Sequence, residues 1–446
     1  MPTLSQSVSS SSSSASLRPV QLALSQYLPP ARLEALVAAS GWPGRRRVYD
    51  PGQVLWAGVD QALGGQLSQS ALVSRLAAVN GRPLDRDSGA LCRARQRCPA
   101  SLARAAAQEV ALRAQQPGPR IWLLDGSSVV LTDSEANQTR YPQSPSQKPG
   151  LGQPQIRFVA LVDLASGCLV DLALGTLYDH DAKLGRALWD QIAPGDLVIA
   201  DRGFASYGLL AAAQRRGFFV LVRQHQRRRN STPLEADLDD REESWTLPKR
   251  RPEWWDDDLP PRQNVRVVRC RLEGGGVLAL NTNLPADRYP LQAVLDLYAQ
   301  RWRVETRFLE LKVTLGADHI RAATPDLAEA LLWQSILAFN LVQGLLTDAA
   351  QRSGLDRYRL SFHGALDALE AAALLATGVA EEACNWVLAE VTRNPLPLRR
   401  NPFRDEPRAL RRRHRNYPWL TKPRQQYPKG RRKRSGPKKE VGSAVA

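Results

Sequence analysis

The segment 298–312 carries Tyr, Arg, Glu and Lys side chains at spacings that bring them together on a helix. With 3.6 residues per turn they lie at about 0, 300, 340 and 320°, which is one narrow stripe; these residues are Tyr298, Arg301, Glu305 and Lys312. Apolar residues fall beside this stripe, at about 220 to 280°; they are Leu297, Val304, Phe308, Leu311 and Leu315. The pattern predicts a helix whose apolar side packs against the protein, while the neighbouring side presents a carboxylate between cations. A surface helix whose charges serve solubility is the alternative.

Two aspartates stand at the ends of predicted strands. A strand predicted over 121–124 ends at Asp125, and one over 196–200 ends at Asp201. Strand ends suit reactive groups because the backbone is anchored there while the side chains remain accessible. Aspartates at such positions also form turns and helix caps, which is the alternative interpretation.

The two aspartates and Glu305 together would form a carboxylate cluster, which is unfavourable unless a cation neutralises it. Oxygen-only ligation selects hard ions, Mg²⁺ or Mn²⁺. Two such ions would bracket an in-line displacement at phosphorus, one activating the attacking hydroxyl and the other stabilising the leaving 3′ oxygen. The predicted substrate is therefore a phosphodiester.

Three motifs of the chain resemble the motif blocks of the DDE transposases of the insertion-sequence-four family. In chain order they are Asp125-Gly-Ser, Asp201-Arg-Gly-Phe and Tyr298-x2-Arg301-x3-Glu305-x6-Lys312. The resemblance covers about 121–316, including a β-rich insertion between the second aspartate and the glutamate. It implies an α/β fold with an RNase H-like (retroviral-integrase-like) core, binding of terminal inverted repeats, and cut-and-paste transposition of double-stranded DNA with a divalent metal.

The resemblance also assigns roles to individual residues. The catalytic and metal-binding residues would be Asp125, Asp201 and Glu305, and the DNA contacts near the cut would be Tyr298, Arg301 and Lys312. An arginine can hold a phosphate with two parallel hydrogen bonds, while a lysine offers a point charge.

In this family the 3′ hydroxyl of the cleaved strand can attack the opposite DNA strand and leave a DNA hairpin. This requires a displaced base near the site, which an aromatic side chain could support. Trp302 is the first candidate for this contact, with Trp254 and Trp255 behind it, although each could instead be a packing residue. The group Asp179-His180-Asp181 could bind phosphate or assist a metal site. The favoured interpretation is that the two aspartates cap a helix start and complement its dipole, while His180 is exposed.

These residues need a sheet to position them. The predicted order over 119–222 is β-β-β-α-β-α-β; its elements are strands at 121–124, 156–164, 168–174, 196–200 and 218–222 and helices at 182–192 and 207–216. A hairpin at 265–272 and 277–281 and helices at 327–346 and 360–375 are also predicted. The predicted division is a disordered Ser-rich leader (1–18), a helical domain that could bind DNA (19–118), the first part of the catalytic core (119–222), a β-rich insertion (223–289), its helical second part (290–392) and a basic tail (393–446).

The formal net charge is +17, and the segment 393–440 holds eighteen Lys and Arg against three acidic residues. Such a tail favours a polyanion, with nucleic acid first and an acidic membrane surface second. A solvated tail without a partner is the alternative. The five cysteines are scattered along the sequence, which favours a reducing cytoplasm over a disulfide framework or a zinc site. The sequence contains no run of about 18 apolar residues, so we expect no membrane span.

The prediction is thus a cytoplasmic, nucleoid-associated transposase. By resemblance, it would act as a homodimer assembled on DNA. Two alternatives remain open: an RNase H-like nuclease that does not join strands, and a transposase-derived DNA-binding protein that has lost catalysis.

Overall fold

In the computed structural model, one mixed sheet forms the centre of the chain and helices cover both of its faces. The structure describes residues 19–42, 48–80, 88–225, 237–256, 258–272, 276–375 and 379–397, with Lys422, Pro423 and Gln426. The predicted Ser-rich leader and nearly all of the predicted basic tail lie outside these residues. The predicted mixed α/β architecture is confirmed.

The described strands and helices follow in chain order. The helices are α1 (Pro19–Ser25), α2 (Pro30–Ala39), α3 (Pro51–Leu63), α4 (Gln69–Asn80), α5 (Gly89–Gln96), α6 (Ala100–Ala114), α7 (Glu135–Arg140), α8 (Asp181–Arg186), α9 (Tyr207–Arg216), α10 (Leu291–Ala299), α11 (Arg303–Leu309), α12 (Pro325–Ser353), α13 (Phe362–Ala372) and α14 (Ala380–Arg393). The strands are β1 (Ile121–Leu131), β2 (Gln155–Asp163), β3 (Leu169–Gly175), β4 (Leu197–Ala200), β5 (Phe219–Arg223), β6 (Leu238–Thr246), β7 (Arg262–Arg271), β8 (Val277–Thr282) and β9 (His319–Ile320).

The sheet has the strand order β3-β2-β1-β4-β5-β8-β7-β6, and the short β9 pairs with the far end of β1. Strand β2 is antiparallel to its two neighbours, β1 and β3, whereas β4 and β5 run parallel to β1. Helices α8 and α9 connect the parallel strands. This is the predicted element order, with the short α7 added between β1 and β2.

Strand β1 does not end at Asp125, and that prediction was wrong. The strand continues to Leu131 because β2 stays paired with it as far as Val130↔Gln155, so Gly126 and the serines after it form no turn. The parallel pairing with β4 does stop here, at Leu124↔Ala200. Asp125 therefore marks the point where β1 loses its neighbour on one side only.

The segment after β5 adds three strands to the same sheet. The predicted hairpin is present as β7 and β8, and β8 pairs with β5. Strand β6, which was not predicted, forms the outer edge. Its acidic residues are matched by arginines of β7, since Asp240 accepts two hydrogen bonds from Arg266, at 2.8 and 2.6 Å.

Helix α12 organises the helical layer. Its side chains and those of α3 and α6 belong to one hydrophobic cluster that also contains the inner face of β1 and β2, so the N-terminal helices share a core with the sheet. By length and composition alone α12 could cross a membrane, but 94% of the relevant window is buried inside the protein, as in a core helix.

The helix predicted over 298–312 is interrupted twice. A tight 3₁₀ turn at Gln300–Trp302 separates α10 from α11, and a π turn at Glu310–Thr314 follows α11. The first turn winds the chain more tightly than an α-helix and the second less tightly, so their effects on side-chain direction oppose each other. The stripe therefore survives although the continuous helix does not.

Candidate active site

Asp125 and Asp201 occupy neighbouring positions on adjacent strands. Each follows directly after a residue of the last register pair between β1 and β4, Leu124↔Ala200. Because side chains alternate along a strand, both point to the face occupied by Leu123 and Ile199, which belong to the larger hydrophobic cluster. The sheet thus brings the two carboxylates together although 76 positions separate them in the sequence.

Arg301 links the glutamate to this pair. Its Nη2 lies 3.1 Å from Oε1 of Glu305, and its Nη1 lies 3.8 Å from Oδ2 of Asp125. The arginine is only 7% exposed. A single buried guanidinium therefore contacts two of the three predicted carboxylates.

The electrostatic surroundings of Asp125 favour a positive partner. Burial is the main reason why the pKa of this carboxyl is raised to about 6, and the negative charges of Asp201 and Asp181 raise it further. The Gly126 N–H, which donates to Oδ1 at 2.8 Å, and the charge of Arg301 act in the opposite direction. Deprotonated Asp125 is thus costly in the free protein, and an additional cation would stabilise it.

The donor chemistry of the three carboxylates fits a hard divalent ion, since oxygen is the only ligand atom they offer. The Asp201 carboxylate accepts no hydrogen bond from any residue within the described ranges, so its lone pairs remain available. The three carboxylates are nevertheless too far apart to bind one ion together. Among the described residues, no group of three or more His, Cys, Asp or Glu side chains is close enough to hold an ion. Arg301 lies between Asp125 and Glu305 instead.

Lys312 and Tyr298 also reach this place. The Lys312 Nζ donates to the hydroxyl of Ser127 at 3.3 Å, two residues beyond Asp125 on the same face of β1, and burial lowers its pKa. Tyr298 is 6% exposed. Burial raises its pKa to about 12, and the charges of Arg301 and Asp201 act on its hydroxyl. The six motif residues named from the sequence are therefore linked around Asp125 through Arg301 and Ser127, although the three carboxylates are not in direct contact.

Of the three tryptophans considered, only Trp302 lies open beside this site. Its side chain is 60% exposed, and the Arg301 guanidinium carbon lies 4.3 Å from its ring centroid. Trp255 instead packs against the rings of Tyr207 and Trp254, with centroids 6.4 and 6.1 Å apart. Those two tryptophans are packing residues in this conformation.

The group before α8 behaves partly as expected. His180 is exposed and caps the helix, because its Nδ1 accepts the Ala182 N–H at 3.2 Å, and Asp179 pairs with Lys183 at 3.0 Å. The prediction that the two aspartates cap this helix was wrong: Asp179 bonds to Thr176 and Lys183, and Asp181 lies in the first turn of α8. It accepts two hydrogen bonds from Arg157 of β2, which sequence reasoning did not single out because nothing near it in the chain marks it.

Comparison with known families defines the class of protein. A family model described as a transposase DDE domain matches residues 116–341, just over half of the chain. The chain belongs to this family and is an enzyme of the polynucleotidyl transferase and endonuclease type.

The more specific assignment, to the insertion-sequence-four family, is also confirmed. The chain is 27% identical over 345 residues to the transposase InsG for insertion sequence element IS4 of Escherichia coli K12, covering 74% of this chain and 77% of that protein. It is 38% identical over 86 residues to the transposase for insertion sequence element IS421 of Escherichia coli, covering 19% and 23% respectively. The solved piggyBac transposase synaptic complex with hairpin DNA aligns over 88% of each chain at 11% identity, with a TM-score of 0.45.

Proposed function

We propose that this transposase binds terminal inverted repeats of double-stranded DNA, cleaves at their ends and joins the released ends to a target, with Asp125, Asp201 and Glu305 as the catalytic residues. The observation that carries the proposal is the placement of the carboxylates: Asp125 and Asp201 follow one register pair, and Glu305 shares the Arg301 guanidinium with Asp125. The order of β3-β2-β1-β4-β5, with only β2 antiparallel to both of its neighbours, supports an RNase H-like core.

The carboxylates would hold Mg²⁺ or Mn²⁺, which supplies activation of the attacking hydroxyl and stabilisation of the leaving 3′ oxygen. The chain's own cations would hold the DNA. Arg301 presents a fork to a phosphate, Lys312 adds a charge close to Asp125, and the Tyr298 hydroxyl stays protonated as a donor.

Trp302 is the residue that we assign to a displaced base. Its exposed ring lies beside Arg301, so a base stacked on it would stay within reach of the same guanidinium that binds phosphate. We further propose a homodimer assembled on two DNA ends, acting in the cytoplasm at the nucleoid.

The decisive experiment is single-turnover cleavage of end-bearing DNA in Mg²⁺ by the wild type and by Glu305→Gln. Removing the charge of Glu305 should lower the rate at least 10³-fold, on the order of 4 kcal/mol in the barrier, while DNA affinity is retained. Equal rates would contradict the assignment.

The same reactions separate the alternatives. A nuclease would release cleaved ends without joining them to a target plasmid. A protein that only binds DNA would give no cleavage in Mg²⁺ or Mn²⁺, with or without the substitution. The proposal requires both cleavage and joining by the wild type.

A further inference from the structure

Arg157 lies on the opposite face of the sheet from Asp125, opposite a position three residues further along β1. It is the register partner of Ser128, and its side chain points to the same face as Gly126. The side chain is 30% exposed, and both ends of its guanidinium bind Asp181, with Nε to Oδ1 at 2.6 Å and Nη2 to Oδ2 at 2.5 Å. The Arg157 guanidinium is therefore oriented by Asp181 and is partly exposed to solvent.

The absence of a side chain at Gly126 allows this pair to approach the active site. A Cβ at position 126 would lie 2.8 Å from the carboxyl carbon and from both oxygens of Asp181. Any larger residue there would displace Asp181 and, with it, Arg157. The glycine of the Asp125-Gly126 motif is thus explained by what lies behind it.

The pair also interacts electrostatically with Asp125 through this opening. Hydrogen bonding to Asp181 is the main reason why the pKa of Arg157 is raised, and the charge of Asp125 contributes. In the free protein these two guanidinium groups are paired with carboxylates: Arg301 with Glu305, and Arg157 with Asp181.

The sheet is interrupted on the edge of β1 that faces β4, which is the edge opposite β2 and Arg157. Pairing with β4 stops at Leu124, and pairing with β9 begins only at Val130. Within the described part of the chain, the intervening backbone of β1 has no strand partner on that side. At this interruption no neighbouring strand separates the face that carries Asp125 from the face that carries Asp181 and Arg157, and a DNA strand at Asp125 would pass close to both.

We propose that Arg157 is a further DNA-contacting residue, which binds a backbone phosphate next to the scissile one, and that Asp181 is the positioning residue that directs it there. The bidentate geometry that Arg157 makes with a carboxylate is the geometry with which arginine binds phosphate. This inference rests on the proposed function, because it concerns the DNA that the carboxylate site would cleave.

The test exploits the asymmetry between the two partners. We expect Arg157→Ala to weaken binding of a fluorescent terminal-repeat duplex about tenfold and to lower the slope of log affinity against log salt by about one. Asp181→Ala should leave that slope unchanged, since the cation remains. Arg157→Lys should keep the slope but lower cleavage, because the charge is retained and the fork is removed.

The control is Arg216 with Asp190, an ion pair at 3.0 Å whose arginine is also 30% exposed. Arg216→Ala should change neither the salt slope nor cleavage. Thermal unfolding of every variant checks that the fold is intact.

Two results would overturn the inference. Equal effects of Arg157→Ala and Asp181→Ala, with an unchanged salt slope, would make the pair a structural tie only. Loss of cleavage in Asp181→Ala but not in Arg157→Ala would make the carboxylate the functional group. Both differ from failure of the proposed function, in which the wild type itself would not cleave the duplex.

Discussion

Arg301 is constrained more tightly than its place in a sequence motif indicates. Its guanidinium contacts Glu305 on one side and Asp125 on the other, while the ring of Trp302 lies against its face. Its Nε is buried and has no hydrogen-bond partner among the residues that the structure describes. The arginine therefore compensates the charge of the carboxylates in the free protein.

Asp125 should cost the protein stability when it is ionised. Its pKa of about 6 lies above the ordinary value of 3.8, so the folded state holds the proton more tightly than the unfolded chain. The stabilisation from the bound proton is complete below about pH 4 and is lost as the pH rises through about 6. We expect Asp125→Asn to exceed the wild type in unfolding free energy by about 1 to 3 kcal/mol at pH 8.

Urea unfolding at several pH values, without divalent ions, measures this difference. The gap between the two proteins should narrow steadily from pH 7 to pH 4. A constant gap, or a less stable Asp125→Asn protein at pH 8, would be inconsistent with an acid destabilised by burial.

Sequence alone identified the six motif residues because their types and spacings are local properties. It did not identify Arg157, whose importance depends on Asp181 lying behind Gly126 across a strand pair. Such an arrangement is set by tertiary packing and leaves no local pattern.

At the scale of elements, the segment between β6 and β7 contacts both helices that flank β4, α8 and α9. Asp256 accepts hydrogen bonds from Arg186 of α8, at 2.8 Å, and from Arg215 of α9. Trp255 packs beneath the first turn of α9, against Gly208. The inserted segment thereby ties together the elements before and after the strand that delivers Asp201.

Gly208→Ala tests this tie. A Cβ at position 208 would lie 2.8 Å from the ring of Trp255, so the ring must shift, and we expect a decrease of about 1 to 3 kcal/mol in unfolding free energy. Gly276→Ala is a control for loss of glycine without steric contact, because its nearest neighbour would be 4.0 Å away; it lies in a loop and so lacks the helix preference for alanine that partly offsets the effect at position 208. Chemical denaturation of both variants gives the comparison, and equal stabilities would show that the packing of Trp255 on Gly208 is dispensable.

Most strands and helices of the core were predictable from hydrophobic periodicity, whereas β6 and the two helix interruptions were not. The charges of β6 look like those of a loop until the arginines of β7 are placed opposite them. The apolar pattern runs unbroken through the 3₁₀ and π turns on either side of α11, so it does not mark them; Lys312 of the π turn contacts Ser127 on β1.

At the scale of the whole molecule, one hydrophobic core joins the N-terminal helices, the sheet and α12, so the helical layer supports the active site directly. The chain that follows α14 crosses back to Arg359, where the Leu396 N–H donates to the backbone carbonyl at 2.6 Å. The basic residues predicted to bind DNA come after this hydrogen bond in the sequence.

Truncation after Pro397 should therefore keep the core intact and remove most of the basic tail. We expect weaker DNA binding and a salt slope reduced by about one unit for each phosphate that the shortened protein no longer neutralises. Fluorescence anisotropy across a salt series, with circular dichroism as the check on folding, provides the measurement. An unchanged slope would mean that the tail does not bind DNA.

Strand β6 also limits how two copies can meet. Its outer edge carries Asp239, Asp240, Glu242 and Glu243 with only Arg241 among them. If two protomers paired their β6 strands antiparallel about a twofold axis at the strand centre, Glu242 of one copy would lie opposite Glu242 of the other. Like charges that face each other across such a pair repel, and natural edge strands use this repulsion to avoid pairing. Pairing of two copies through β6 is therefore disfavoured, and we expect a paired complex on DNA to form through other surfaces.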